Sequence, residues 1–163
     1  MALQIRSAVP ADRPAIWRIL EPVFAAGETY TVPRDWTQEQ GLDYWFHDAH
    51  QVFVAEDAGD IVGTYFLQAN QAGGGSHVAN CGYVTAPSAT GRGVARAMCL
   101  DSLERARAAG FRAMQFNFVV SSNERAVHLW QSLGFAIVGT LPGAFLHPLL
   151  GCVDAFVMFR DLG

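Results

Sequence analysis

The stretch PSATGRGVAR, Pro87 to Arg96, decides the fold: a strand stops at Pro87, and Thr90, Gly91, Arg92, Gly93, Val94, Ala95 and Arg96 open a helix. Glycines let main chain approach a ligand closely. N–H groups at a helix start, at the positive end of its dipole, favour an anion such as a pyrophosphate. A Walker A loop is excluded, because all 11 basic residues are Arg and no lysine is present, which also removes Schiff-base and lysine-nucleophile chemistry. A dinucleotide loop fits poorly. It needs Gly or Ala where Arg96 stands and an acidic residue about 20 positions on, where Arg112, Met114 and Gln115 occur. A glycine turn without a ligand is the bland alternative.

Upstream of this stretch, His77 to Ala86 reads as a strand. Val52 to Glu56 and Ile61 to Ala69, rich in β-branched and aromatic residues and split by Asp57 to Asp60, read as a hairpin. Gln71 to Ser76, with Gly73, Gly74 and Gly75, forms the loop to the next strand. Leu3 to Ser7 is a short strand, and Asp12 is placed to cap a helix running to Ala26, with Pro22 expected to end or kink it. Thr37 and Gln40 make a capping box for a helix over Thr37 to Phe46, leaving Gly27 to Trp36 as a loop over one face.

Downstream, Gly91 to Ala109 reads as a helix stopped by Gly110, and Ala113 to Val120 as a strand. Ser121 and Glu124 suggest a capping box for a helix carrying Ala126, Leu129, Trp130 and Leu133 at helical spacing, and Gly134 ends it. Strands at Ala136 to Leu141 and Val153 to Arg160 complete an α/β sheet of mixed direction, in which the strand–helix–strand crossover makes one parallel pair.

Bulk properties narrow the function. A chain of 163 residues suits one domain over 1–163, and its 51% hydrophobic, 16% charged composition favours a dense core and allows a homodimer. A net charge of -4 without a basic cluster argues against nucleic acid. Cys81, Cys99 and Cys152 form neither a disulfide framework nor a metal pair, so no metal is expected. No stretch has the length of a signal peptide or membrane span, and the expectation is a soluble, cytoplasmic protein with no membrane partner.

Gly93 and Ala95 match the acetyl-CoA loop of the GCN5-related N-acetyltransferase (GNAT) family, whose pattern is Gln or Arg, two residues, Gly, one residue, then Gly or Ala; Thr90 departs at the first position. Asn117 to Phe135 resembles the family's second motif, a strand followed by Asn123, Ala126, Leu129, an aromatic at 130, and Leu133, Gly134, Phe135. The resemblance implies a mostly antiparallel sheet of about seven strands flanked by about four helices, with parallel fourth and fifth strands that splay apart so that pantetheine enters like a surrogate strand. It implies acetyl-CoA as cosubstrate, a small-molecule amine as acceptor and direct transfer in a ternary complex. A non-catalytic acyl-CoA-binding module, or acetylation of a protein N-terminus or a phosphinothricin-like compound, remains the alternative.

On this resemblance, Thr90 to Arg96 hold the diphosphate, Val84 and Thr85 lie nearest the thioester, and Asn123, Ala126 and Trp130 face the cofactor. Many members place a tyrosine at position 130 to protonate the departing thiolate, whereas indole is a donor without a usable acid. Asn80, Tyr83, Asn117, Asn123 and Trp130 together are similar to the branch of the family that detoxifies the proline analogue azetidine-2-carboxylate in yeast. That similarity implies that Asn80 and Asn117 act catalytically by orienting a small amino acid, with Tyr83 as an apolar wall and Tyr30 as a further lining residue. A base must take a proton from an ammonium acceptor, and the side chains singled out for it are Glu28 in the long loop and His77 at the strand entrance.

Overall fold

The computed structural model describes residues 2–163, and one seven-stranded sheet runs through them in the order β1-β2-β3-β4-β5-β7-β6. In chain order the elements are β1 (Leu3–Ser7), α1 (Arg13–Ala26), α2 (Gln38–Trp45), β2 (Gln51–Asp57), β3 (Asp60–Ala69), β4 (Val78–Thr85), α3 (Val94–Ala108), β5 (Ala113–Val120), α4 (Glu124–Ser132), β6 (Ala136–His147) and β7 (Gly151–Asp161). Every neighbouring pair is antiparallel except β4 and β5, as expected for a strand–helix–strand crossover. This is the mixed α/β architecture expected from the sequence.

Strand alternation sorts the helices to two faces. Gly63 and Tyr65 of β3 meet α3, the first against Val94 and Met98 and the second through a 2.6 Å bond from Tyr65 Oη to Asp101. Thr64 and Phe66, pointing the other way, meet α2: Trp45 Nε1 donates to Thr64 Oγ1 at 3.0 Å, and the Trp45 and Phe66 rings pack edge to face. Ile16, Leu20 and Phe24 of α1 and Trp45 of α2 are fully or almost fully buried on that side, and Met98, Leu103 and Met114 on the other. These two cores fix the sheet between helix layers.

Several local expectations are corrected. Pro22 does not end α1, which continues to Ala26 and stops at Gly27 in the left-handed region, φ 64°. Asp12 makes no side-chain cap to α1; its carboxylate instead accepts the Val9 N–H at 2.7 Å and pairs with Arg6, whose guanidinium holds it below the usual carboxylate range. Ser121 and Glu124 form no capping box, because the Ser121 N–H donates to the Asp154 carbonyl at 2.9 Å and Asn123 takes the helix-start position. The helix expected from Gly91 begins at Val94, since Gly91 and Gly93 have φ near 82° and 81°. β6 and β7 are much longer than expected, accommodated by register shifts that absorb Pro142. The Thr37–Gln40 box does form.

Candidate active site

The site begins with an incomplete strand pair. β4 and β5 are joined only at Val78↔Ala113 and Ala79↔Met114, whereas β4 stays paired with β3 from Ala69↔Ala79 to Gly63↔Thr85. Beyond Ala79 the β4 edge that faces β5 therefore carries main-chain donors and acceptors without a ladder partner. The fork is closed at its root by a side chain, Asn80 Nδ2 donating to the Gln115 carbonyl at 2.9 Å. On its other edge β5 pairs with β7, but a bulge between Phe116 and Val119 places one extra residue in β5 at Asn117 and Phe118. The result is a cleft of about 930 Å³ between the two strands.

One end of the cleft is a main-chain cradle. Thr90, Gly91, Gly93, Val94, Ala95 and Arg96 line it, and Gly93 is the residue before α3. Its φ of 81° suits glycine, and a Cβ there would meet no protein atom within 4 Å, so conformation and not crowding demands the residue. The first N–H groups of α3 have no intrahelical acceptor and point out of the helix end. Arg96 and Arg125 add positive charge; neither has an acidic partner among the ion pairs of the described residues. Arg92 is directed elsewhere, its Nη2 bonded to Asp57 at 2.8 Å, and it does not line the cleft.

The side walls come from β4, β5 and α4. Val84, Thr85, Asn123, Ala126 and Trp130 all line the cleft. The Trp130 ring packs on Tyr83 and Phe116, each at 5.1 Å, and no protein group bonds its N–H among the described residues. Tyr83 also borders the cleft, but its hydroxyl is engaged in the core, 2.6 Å from Ser102 Oγ. Because Ser102 Oγ donates to the Cys99 carbonyl, the Tyr83 proton points at Ser102. Burial raises the Tyr83 pKa well above its usual value, and it pushes the nearby Cys81 and Cys99 thiols up to about 12 and about 11.

The opposite end is roofed by the loop between α1 and α2. Tyr30 Oη donates to the Tyr83 carbonyl at 3.0 Å, tying the loop to β4, and its ring packs on Phe24 and Trp45. Phe66 packs closely on β4 because residue 82 is glycine: a Cβ there would come to 2.5 Å from the Phe66 ring. Below these rings runs a chain of carboxamides. Gln68 Nε2 donates to Asn80 Oδ1 at 3.1 Å, Gln115 Nε2 to Asn117 Oδ1 at 2.9 Å, and Asn117 Nδ2 to Asn70 Oδ1 at 2.6 Å. Asn117 is exposed, not buried in its strand, since the bulge turns it outward.

The two bases singled out from the sequence do not reach this cleft. His77 lies before the paired root of the fork, exposed beside Arg112 and Ala113, about seven residues or ~23 Å of strand from Val84. Glu28 is exposed on the outside of its loop, while its neighbours Thr29, Tyr30 and Thr31 face the cleft. Sequence reasoning missed Arg125, Gln68, Tyr44 and His50, all of which line it. Among the described residues no group of three or more His, Cys, Asp or Glu side chains could hold a metal ion, and no helix is long and apolar enough to cross a membrane.

A splayed parallel strand pair with a glycine-led helix start at its open end defines the class of acyl-CoA N-acyltransferase folds. The chain belongs to the Acetyltransferase (GNAT) family, whose pattern matches residues 13–135, and is an acetyl-CoA-dependent N-acetyltransferase. It superposes on a GCN5-related N-acetyltransferase from Kribbella flavida with a TM-score of 0.94 and 44% identity, covering 98% of each chain. It is 25% identical over 148 residues to the N-acetyltransferase aca1 of Schizosaccharomyces pombe, covering 80% of this chain and 71% of that one. A phosphinothricin acetyltransferase from Sinorhizobium meliloti, solved in complex with AcCoA, shares the fold at 21% identity, with a TM-score of 0.87, over 100% of this chain and 90% of that one.

Proposed function

We propose that residues 1–163 form one acetyltransferase domain that moves acetyl from acetyl-CoA to the amine of a small molecule, an amino acid or proline analogue, by direct attack in a ternary complex. The observation that carries the acceptor class is the charge of the cleft: its described lining residues include Arg96 and Arg125 but no Asp or Glu. A polycationic acceptor would find no counter-charge there, whereas an amino acid's carboxylate meets no repulsion. The carboxamides of Asn80 and Asn117 each retain an N–H beyond the one already bonded, and these can receive such a carboxylate.

On this reading the cradle of Thr90, Gly91, Gly93, Val94, Ala95 and Arg96 binds the diphosphate of acetyl-CoA, with Arg125 beside it. The pantetheine arm lies along the unpaired edge of β4 at Val84 and Thr85, with Asn123 and Ala126 across from it. Amine nitrogen attacks the thioester carbonyl carbon, and a β4 main-chain N–H stabilises the oxyanion. The C–S bond then breaks. A thiol with a pKa near ~8.5 is a fair leaving group without an acid, and the Trp130 N–H can donate to the departing sulfur. Acetylation removes an amine's charge and nucleophilicity, which suits a cytoplasmic detoxifying role. The proline-analogue resemblance of Asn80 and Asn117 supports the same acceptor, and the S. pombe relative, an N-acetyltransferase, agrees with the class of reaction.

A second reading, a phosphinothricin-like acceptor, is favoured by the same acid-free lining, because that amino acid carries an additional anionic group. Thiol release from acetyl-CoA tests both. Azetidine-2-carboxylate, proline, phosphinothricin, a polyamine and an N-terminal peptide should separate, with the zwitterionic amino acids turning over fastest. Preference for the polyamine or the peptide would overturn the acceptor assignment.

A further inference from the structure

An amino-acid acceptor arrives as an ammonium ion, whose proton must leave before nitrogen can attack, and neither Glu28 nor His77 faces the cleft to receive it. The ionisable groups that do face it are few: Arg96, Arg125, Tyr30, Tyr44, Tyr83, Cys81 and His50. Arginine stays protonated. Burial raises the three tyrosines and pushes Cys81 up to about 12, so these four also keep their protons at neutral pH. Of the described lining residues, His50 alone can offer a basic lone pair.

Its geometry suits that task. His50 closes the turn between α2 and β2, where its main-chain N–H donates to the His47 carbonyl at 2.8 Å. Ring atom Nδ1 is 3.0 Å from the Trp45 carbonyl, and since a carbonyl can only accept, Nδ1 carries the proton and Nε2 the lone pair. No protein group bonds Nε2 among the described residues, and the half-buried ring forms part of the cleft wall. The ring is fixed by stacking on Phe66, with centroids 3.8 Å apart and planes within 2°, and Phe66 in turn lies on Gly82 of β4. Gln68 and Asn80, two residues along β3 and β4 on the same face, continue that wall.

The ionisable side chains packed on the ring are Tyr44 of α2, 5.9 Å away, and His47 of the turn, 5.5 Å away; β3 presents only Phe66, and no carboxylate pairs with it among the described residues. Burial lowers the His50 pKa, the bond to Trp45 opposes this, and His47 adds to the lowering. The imidazole is therefore neutral at pH 7.

We infer that His50 Nε2 is the general base that takes the proton from the acceptor's ammonium, an inference that rests on the small-amine reading above. The freed lone pair forms the C–N bond as the C–S electron pair leaves on sulfur. Of a primary ammonium's three protons, one passes through His50 to solvent, one ends on the CoA thiol and one remains on the amide; a proline analogue's secondary ammonium has two, which leave by the same two routes, and its amide carries none.

His50→Asn tests the inference, because its Nδ2 can still donate to the Trp45 carbonyl. For ammonium acceptors at pH 7, kcat/KM should fall roughly 100-fold or more, while acetyl-CoA binding, measured calorimetrically, stays unchanged. The unsubstituted enzyme should show a pH plateau that begins below 6.5, the ordinary imidazole value, and ends at the acceptor's own pKa. The variant should instead climb with unit slope to the acceptor's pKa, and its loss in kcat should be much smaller on a weakly basic aromatic amine that is already unprotonated than on an ammonium acceptor. Nitrogen NMR of the parent should place the His50 proton on Nδ1. Parental rates in the variant, or a proton on Nε2, would overturn the inference alone. No transfer by the parent to any small amine would overturn the acceptor reading, and the inference with it.

Discussion

The two ends of the cleft are built by different means. The end at α3 is main chain: consecutive residues, two with positive φ, lead into a helix whose first N–H groups would meet the proposed diphosphate. The end under the α1–α2 loop is side chain: Tyr30, His50, Phe66, Gln68 and Asn80 come from separate loops and strands and meet only because the sheet register aligns them. A main-chain site recognises what the acyl donors of a whole family share, while a side-chain site can change its acceptor without touching the donor. Substitutions at the two ends should therefore separate donor binding from acceptor use.

The largest effect is expected at Gly93. Gly93→Val forces a β-branched residue to φ 81° and puts a side chain into the open space over the helix start. Acetyl-CoA affinity should fall roughly 100-fold, about 2.7 kcal/mol, by calorimetry. At the other end, Gly82→Ala drives a Cβ to 2.5 Å from the Phe66 ring, which is itself held between Trp45 and His50. Overpacking of this kind costs about 1–3 kcal/mol in stability. Displacement of Phe66 and His50 should raise the acceptor KM severalfold and leave the affinity for acetyl-CoA nearly unchanged. Equal losses of donor and acceptor binding in both variants would erase the distinction between the two ends.

Arg125→Ala gives a smaller change on the donor side. One charge-assisted contact at an exposed cradle should account for about 1 kcal/mol, near fivefold in acetyl-CoA affinity. The loss should shrink as salt is raised, because exposed charges are screened beyond ~10 Å at 0.1 M.

How much could be read beforehand follows the same division. The cradle was legible because glycines, a helix start and the absence of lysine lie in one short stretch, and the strand–helix–strand order around it sets the parallel pair. The difference for His77 is one of direction: the cleft opens at the C-terminal end of β4, where the chain runs on to α3, and His77 stands at the other end of the strand. His50, Gln68 and Arg125 left no local signature, since the register of β2, β3 and β4 and the packing of α4 bring them to the cleft. The bulge that exposes Asn117 is likewise a property of the β5–β7 pairing and not of the string AMQFNFVV. Ser121 and Glu124 had the spacing of a cap, yet the Ser121 N–H was already committed to Asp154 across the sheet.

The smallest effect is expected where the two ends touch. Among the described residues the bond from Tyr30 Oη to the Tyr83 carbonyl is the one hydrogen bond that links the acceptor-side loop directly to the strand along which the donor would lie. Tyr30→Phe keeps the ring contacts with Phe24 and Trp45 and removes only that bond. A single neutral bond contributes about 1 kcal/mol, so Tm should drop by roughly 2–4 °C for a chain of this size. If the loop serves the acceptor alone, kcat/KM for the amine should decline a fewfold with acetyl-CoA affinity intact. A matching loss of acetyl-CoA affinity would instead mean that this hydroxyl holds the β4 edge in position for both substrates, and that the side-chain end supports the main-chain end through Tyr83.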